Sequence, residues 1–347
     1  MVRNHYNVKF LKGYGHSISV KDSKIILKDC HDPFSKPIIE SWFVRNMPYE
    51  RVILQGKGYV STEALSLLSE NNRTVILLDN RGNPVTFCHG IRDSYTATKY
   101  RIAQYDTLRN KTKTDYLTKQ ILKAKLESQI RFLKSTNHPD VQEGIKKLSS
   151  SGLSEAVSSR IYFENYAKLI DDRFQFTKRN SIQIAKNNAT DVINALLNYG
   201  YSVLAGQISA YISGIGLDAY YGFMHKKHTS FQSLVYDMME PFRWLVDCAV
   251  WKISDAKNRN RISKKQYAHT REGNVVLEYN LIKNFLELLE RVFQKERRYK
   301  YNHGAKTSDG LRWVQEITIA KIVVQNLAEF CSGNQCFECN SSLILTL

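Results

Sequence analysis

Proline is scarce in this chain, with six in 347 residues, and glycine is modest at seventeen. That excludes collagen-like and low-complexity architecture. No apolar run approaches the roughly 18 residues that a membrane span needs, so no membrane partner is expected. The opening residues, Met1-Val-Arg-Asn-His-Tyr-Asn-Val-Lys-Phe10, lack the apolar centre of a secretion signal, and export is not expected. Cysteine is sparse: Cys30, Cys88 and Cys248 stand isolated, as free thiols of a reducing, cytoplasmic setting would. Acidic residues are outnumbered, 33 against 50 Lys and Arg, leaving a net charge of +17. A chain this basic meets a polyanion, nucleic acid before an anionic membrane. Gly56-Lys-Gly58 and Gly13-Tyr-Gly15 lack the G-x4-G-K-[ST] spacing of a phosphate loop. There is no G-x-S-x-G elbow and no H-E-x-x-H. A nucleotide-driven motor and a serine hydrolase are therefore unsupported.

What remains is ordinary globular composition, 43% hydrophobic and 24% charged, at a length that suggests two domains. The first ninety residues read as mostly strand. Ser17–Val20 and Lys24–Leu27 flank a hairpin turn, and Arg51–Leu54, Thr74–Leu78 and Val85–Cys88 are short β-branched or apolar runs. Between them Ser61–Glu70 reads as a helix capped by Ser61. After about His89 the period becomes 3.6: Tyr116, Leu117, Ile121, Leu122, Leu126, Ile130 and Leu133 share a helical face. Further helices are expected over 182–200, 201–213, 230–254, 276–299 and 314–330. The fold class is thus α+β: a small β-rich N-terminal domain (1–93), then a larger all-helical domain (94–347). The charge is concentrated in the second part. Residues 94–135 hold 10 basic and 3 acidic residues, and 252–306 hold 14 and 6. Tyrosines interleave both stretches, which favours phosphate contact over a plain solvated face.

Three segments between Gly152 and Asp247 could carry chemistry. Glu155 lies just inside a helix start. Gly216-Leu-Asp-Ala-Tyr-Tyr-Gly-Phe-Met-His225 is a glycine-punctuated turn ending in histidine. Ser233-Leu-Val-Tyr-Asp-Met-Met-Glu-Pro-Phe-Arg243 places Asp237 and Glu240 three apart, on one helical face. Together they could hold a hard divalent cation, Mg²⁺ or Mn²⁺. Spacing alone leaves the plainer alternative open. Glu155 also suits a helix first turn, His225 a hydrogen-bonded turn, and the two carboxylates ion pairs with Arg243 or nearby lysines.

Taken together these segments resemble the CRISPR-associated integrases of spacer acquisition, the Cas-one family. The likeness lies in Glu155 with Tyr162-Phe163 seven positions on, and in Asn194-Ala-Leu-Leu-Asn-Tyr-Gly-Tyr201. It continues in Gly216-Leu-Asp-Ala with Gly222-Phe-Met-His225, and in the run from Ser233 through Arg243 to Asp247. Gly56-Lys-Gly-Tyr-Val-Ser-Thr-Glu-Ala64 and Val75-Ile-Leu-Leu-Asp79 extend it to the N-terminal part. Ala156 and Ala219 depart from the family's usual Gly and Pro, and neither removes a ligand. The resemblance implies that Glu155, His225 and Glu240 bind the metal and are catalytic, with Asp237 close by as a possible further ligand. It implies a homodimer joined through the β-rich domains, assembly with a small ferredoxin-like adaptation partner (Cas-two), and double-stranded DNA as substrate, both prespacer and repeat. The implied reaction is attack of a captured 3′-hydroxyl on a phosphodiester of the repeat, with a metal ion polarising the phosphoryl oxygen. Arg179, Lys226, Lys227, His228 and Arg243 are the candidate DNA contacts.

A casposase, a transposon integrase on the same fold, is the rival reading. The short stretch after Phe330 leaves no room for the extra DNA-binding domain such proteins often carry, which favours the CRISPR reading. A non-catalytic DNA-binding scaffold is the alternative from another class, and the intact Glu155, His225 and Glu240 set argues against it. Cys331, Cys336 and Cys339 fall one ligand short of a closed zinc site unless His303 or a partner residue completes it, so free thiols are expected.

Overall fold

The computed structural model describes residues 8–30, 36–79, 84–88, 95–179, 189–225, 232–255, 262–271, 273–300, 311–333 and 337. They form two compact units. One takes residues up to Ile91 together with Asn180–Gly206 and Ile262–Arg291; the other takes Arg92–Arg179, Gln207–Arg261 and Val292 onward. In chain order the helices are α1 (Thr62–Glu70), α2 (Tyr95–Arg109), α3 (Lys111–Ser135), α4 (Gln142–Ser150), α5 (Glu155–Ala167), α6 (Val192–Ile215), α7 (Ser233–Met239), α8 (Arg243–Ser254), α9 (Tyr279–Phe293) and α10 (Glu316–Cys331).

The first unit is built on a six-stranded sheet of β1 (Val8–Lys21), β2 (Lys24–Asp29), β3 (Ile38–Trp42), β4 (Arg51–Val60), β5 (Thr74–Leu78) and β6 (Pro84–Cys88), in the order β3-β2-β1-β4-β5-β6. β1 and β2 are the expected hairpin, turning at Asp22 and Ser23, both with positive φ. β4 and β5 are parallel, so a crossover is needed, and α1 supplies it. Ser61 caps α1 by accepting the Ala64 N–H. One sheet face buries Leu11, Ile18, Val52, Leu54 and Val75 with Ala64 and Leu68 of α1. The other face is also covered. Phe10 stacks on Tyr279 of α9 and meets Tyr199 of α6 edge-on, and Arg51 forms a buried ion pair with Glu290. Burial on both faces explains why Val52-Ile-Leu54 and Val75-Ile-Leu-Leu78 are continuous apolar runs. Gly56 has φ +111°, and a Cβ there would lie 2.4 Å from the Gly13 carbonyl oxygen, so the close β1–β4 approach requires glycine.

In the second unit α3 is the longest helix, and it buries Leu117, Ile121, Ala124, Lys125, Ser128, Phe132 and Leu133. Phe132 packs against Tyr166 of α5 and Trp251 of α8. Tyr162 and Tyr166 of α5 donate to the Asp247 carboxylate and carbonyl at 2.7 and 2.8 Å, fastening α5 to α8.

Several expectations are corrected. The part after residue 93 is not all-helical. It contains two antiparallel pairs, β7 (Tyr267–His269) with β8 (Val275–Leu277) and β9 (Glu296–Lys300) with β10 (Leu311–Gln315). The first pair is closed by a turn in which the Thr270 N–H reaches the Asn274 carbonyl at 2.8 Å. The second is anchored by a buried Arg297–Glu316 ion pair at 3.0 Å. The helix expected over 276–299 shortens to α9 accordingly. The helix expected over 230–254 breaks at Pro241 into α7, a 3₁₀ turn at Glu240–Phe242, and α8, because proline has no N–H to continue the ladder. Two helices expected over 182–213 are one described helix, α6; residues 180–188 lie outside the described set. Among the described residues no helix is long and apolar enough to cross a membrane.

Candidate metal centre

Three separate stretches of the helical unit deliver the site. Glu155 is the first residue of α5, after Ser154 at the N-cap, where a carboxylate is favoured by the helix dipole. Glu240 opens the 3₁₀ turn created by Pro241 and is only 2% exposed. His225 ends the loop after α6. That loop begins with Gly216 at φ +100°, whose N–H bonds the Ile212 carbonyl at 3.1 Å and closes the helix. Asp218 then turns the chain by accepting the Tyr220 N–H at 2.8 Å. Gln104 of α2, fully buried, holds the turn from outside. Its Nε2 donates to the Asp218 and Tyr221 carbonyls at 3.0 and 2.8 Å, and its Oε1 accepts the Asp218 N–H at 2.8 Å.

The loop's end is wrapped around Asp237 of α7. Asp237 is 0% exposed, and its carboxylate accepts the N–H groups of Phe223, Met224 and His225 at 2.6, 3.1 and 2.9 Å. His225 Nδ1 donates to the same carboxylate at 2.6 Å. Gly222 is needed for this wrap, since a Cβ there would stand 2.5 Å from Asp237 Oδ2. With Nδ1 committed as donor, the neutral ring keeps its lone pair on Nε2, which faces Glu240 Oε1 at 4.0 Å.

Glu155, His225 and Glu240 each offer one ligand atom, and these atoms lie within 4.8 Å of one another. Two carboxylates and one imidazole are a donor set for a hard to borderline divalent cation. Cations already surround the carboxylates. Lys125 Nζ stands 2.9 Å from Glu155 Oε1 and 2.7 Å from Glu240 Oε2, and Arg243 Nε donates to Glu240 Oε1 at 2.8 Å. Glu240 Oε2 is buried against the Lys125 ammonium, a cation already standing where a metal ion would bind. Burial alone would raise the Glu240 pKa; Arg243 and Lys125 overcome that and hold it at about 2. Burial alone would lower the His225 pKa; the hydrogen bond and charge of Asp237, with Glu240 behind, raise it instead.

Asp237, expected as a possible ligand, has both oxygens engaged by the 223–225 backbone and the imidazole. Arg243, expected at DNA, points its Nε at Glu240. Arg179 lies over the Phe163 ring, 5.9 Å from its centroid. Lys226, Lys227 and His228 lie outside the described residues, as do Cys336, Cys339 and His303. Cys331 is buried at the end of α10, and burial pushes its thiol up to about 11. Sequence reasoning missed Lys125 and Gln104. The signal for Lys125 was present: it falls four residues after Ile121, in line with the apolar stripe of α3.

The profile of the CRISPR associated protein Cas1 family matches residues 10–291, a span that contains all of these site residues. The chain belongs to the Cas1 family. Among curated relatives, the CRISPR-associated endonuclease Cas1 1 of Archaeoglobus fulgidus is 26% identical over 290 residues, covering 72% of this chain and 81% of the relative. Among solved structures, a casposase bound to integration product shares the fold at TM-score 0.82 and 22% identity, covering 97% of this chain and 94% of that one. A chain of a Cas6-RT-Cas1–Cas2 complex shares it at TM-score 0.71 and 17% identity, over 99% of this chain and 37% of that one. The Cas1-family motifs quoted above have local physical roles here. Tyr162 ties α5 to Asp247, Gly222 makes room for Asp237, and Asp237 aims His225. Asn194 is buried and bonds Asp191 through both its backbone and its side chain at the start of α6.

Proposed function

We propose that this chain is a divalent-metal-dependent DNA integrase and endonuclease of CRISPR spacer acquisition. The observation that carries the reading is the convergence of Glu155, His225 and Glu240 around one point. Glu155, His225 through Nε2, and Glu240 would hold the ion, Mg²⁺ or Mn²⁺. When bound, it supplies Lewis-acid polarisation of a phosphoryl oxygen. The chain's own residues do the rest. Asp237 fixes the tautomer and direction of the imidazole, a carboxylate–histidine arrangement that also strengthens the ligand. Lys125 and Arg243 keep Glu240 ionised, so it is ready as an anionic ligand. In the reaction a 3′-hydroxyl oxygen bonds to phosphorus as the phosphodiester of the target strand breaks and releases its own 3′-hydroxyl. One phosphodiester replaces another, so no nucleotide is consumed.

The net charge of +17 supports double-stranded DNA, prespacer and repeat, as the partner. The Cas2 in the complex named above supports a small Cas2 adaptation partner. A homodimer through the sheet unit is supported by β3, an edge strand with Ile38 and Ile39 half or more exposed. The domain reading goes with it, residues 1–93 serving dimerisation and 94–347 catalysis. A casposase-type integrase on the same fold is the second reading, favoured by the casposase match over nearly the whole chain. The test is strand transfer of a short duplex with free 3′-hydroxyls into plasmid, with Mn²⁺ and with or without Cas2. Glu155→Ala, His225→Ala and Glu240→Ala each abolish joining while duplex binding persists. Near-wild-type joining by any two of them overturns the site. Joining of arbitrary duplex ends preferentially into a CRISPR repeat supports the first reading, and a requirement for transposon ends as the donor supports the second.

A further inference from the structure

We propose that Lys125 is the resident cation of this centre: its ammonium holds Glu155 and Glu240 together in the metal-free protein, and a divalent ion binds by displacing it. The inference rests on the metal-site reading above. Lys125 sits on the buried side of α3, its side chain 8% exposed, so it does not extend along the surface as most lysines do. Its ammonium touches both carboxylate ligands, at 2.9 Å from Glu155 and 2.7 Å from Glu240. Those two residues come from different elements, α5 and the 3₁₀ turn after α7. Without a cation between them, two carboxylates would face each other, one of them buried.

In the metal-free centre the two carboxylate ligands, Glu155 and Glu240, are already offset by Lys125 and Arg243. A divalent cation entering the same space meets an ammonium already there. Lys125 is one of the buried residues of α3, with its side chain 8% exposed, so the displaced ammonium stays near the ion. Its charge therefore opposes the ion both before and after displacement. Removing it makes the metal-free site less stable and the metal-loaded site more so. A merely structural ion pair predicts the opposite for metal, because a loosened site binds less.

The test compares the full-length wild type with Lys125→Met, Lys125→Gln and Lys125→Arg, at one pH and ionic strength. Free Mn²⁺ is titrated by electron paramagnetic resonance, and thermal unfolding is followed with chelator or with Mn²⁺. The neutral variants are expected to unfold at a lower temperature in chelator, to bind Mn²⁺ at least tenfold more tightly than wild type, and to show a larger Mn²⁺-induced rise in Tm. Lys125→Arg, which keeps the charge, is expected to show no tightening. Unchanged or weaker Mn²⁺ binding by both neutral variants overturns the proposal. If Glu240→Gln still removes Mn²⁺ binding from the otherwise wild-type chain in that case, the metal centre itself stands. If neither wild type nor any variant binds Mn²⁺, both readings fall. Lys125→Gln keeps the test open should Lys125→Met fail to fold, and circular dichroism reports which variants are folded.

Discussion

Asp237→Asn separates a residue that aims a ligand from a ligand itself. Asp237 accepts four hydrogen bonds, two on each oxygen: the His225 N–H and Nδ1–H on Oδ1, and the Phe223 and Met224 N–H groups on Oδ2. An asparagine keeps one acceptor oxygen. Turned one way, the NH₂ group faces the Phe223 and Met224 N–H groups, and two charge-assisted bonds are lost at about 1.5–3 kcal/mol each, or about 3–6 kcal/mol in total. Turned the other way, it faces the His225 N–H, and Nδ1 can accept from it only in the tautomer that protonates Nε2, the ligand nitrogen. No water relieves the loss, because the side chain is 0% exposed. The strain falls on the 222–225 loop, and His225 no longer holds Nε2 toward Glu240. Loss of such an outer partner weakens metal binding by roughly 10–100-fold. Mn²⁺ titration should show that loss, and strand transfer should recover when Mn²⁺ is raised. Glu240→Gln removes a ligand, so its defect should be larger and should not recover. Wild-type Mn²⁺ affinity in Asp237→Asn would refute the reasoning, and a defect worse than that of Glu240→Gln would exchange the two roles.

The raised His225 pKa fixes the sign of a pH effect in the metal-free protein. Its stabilising contribution is complete below the unfolded value of about 6.5 and is lost as pH rises through the folded one. In chelator, the Tm penalty of His225→Ala should therefore be larger near pH 6 than near pH 9; a penalty that grows with pH contradicts the Asp237 pairing. DNA affinity should fall about a thousandfold or more between 50 and 200 mM salt if roughly six phosphates are engaged. A nearly flat response in a fluorescence-anisotropy titration would mean that the basic surface serves another partner.

Where a local rule decides the structure, the sequence was readable. The β1–β2 hairpin, β5, and α1 with its Ser61 cap follow from turn residues, β-branched runs and capping chemistry. Where packing decides, it was not. Gly200 reads as a helix end, yet α6 runs through it, because Leu196, Leu197, Val203 and Leu204 bury the helix and override the propensity of one glycine. β9 is Glu-Arg-Arg-Tyr-Lys, with no strand-like alternation, and becomes a strand only by pairing with β10. The candidate site shows the same division. The three segments were visible as chemistry, but their convergence is non-local, and spacing could not bring Glu155 to Glu240. It took the family resemblance to join them. The register of Lys125 with the apolar stripe was visible but not its meaning: a lysine there reads as a solvated edge until its two carboxylate partners are in place.

The central claim is that Glu155, His225 and Glu240 hold a divalent ion. A crystal of the protein grown with Mn²⁺, with diffraction data collected at the manganese absorption edge, tests it most directly. One strong anomalous peak is expected within ligand distance of a Glu155 oxygen, a Glu240 oxygen and His225 Nε2, with Asp237 still bonded to Nδ1. A peak bound elsewhere with this cluster empty, or a peak ligated by Asp237 in place of Glu240, would contradict it.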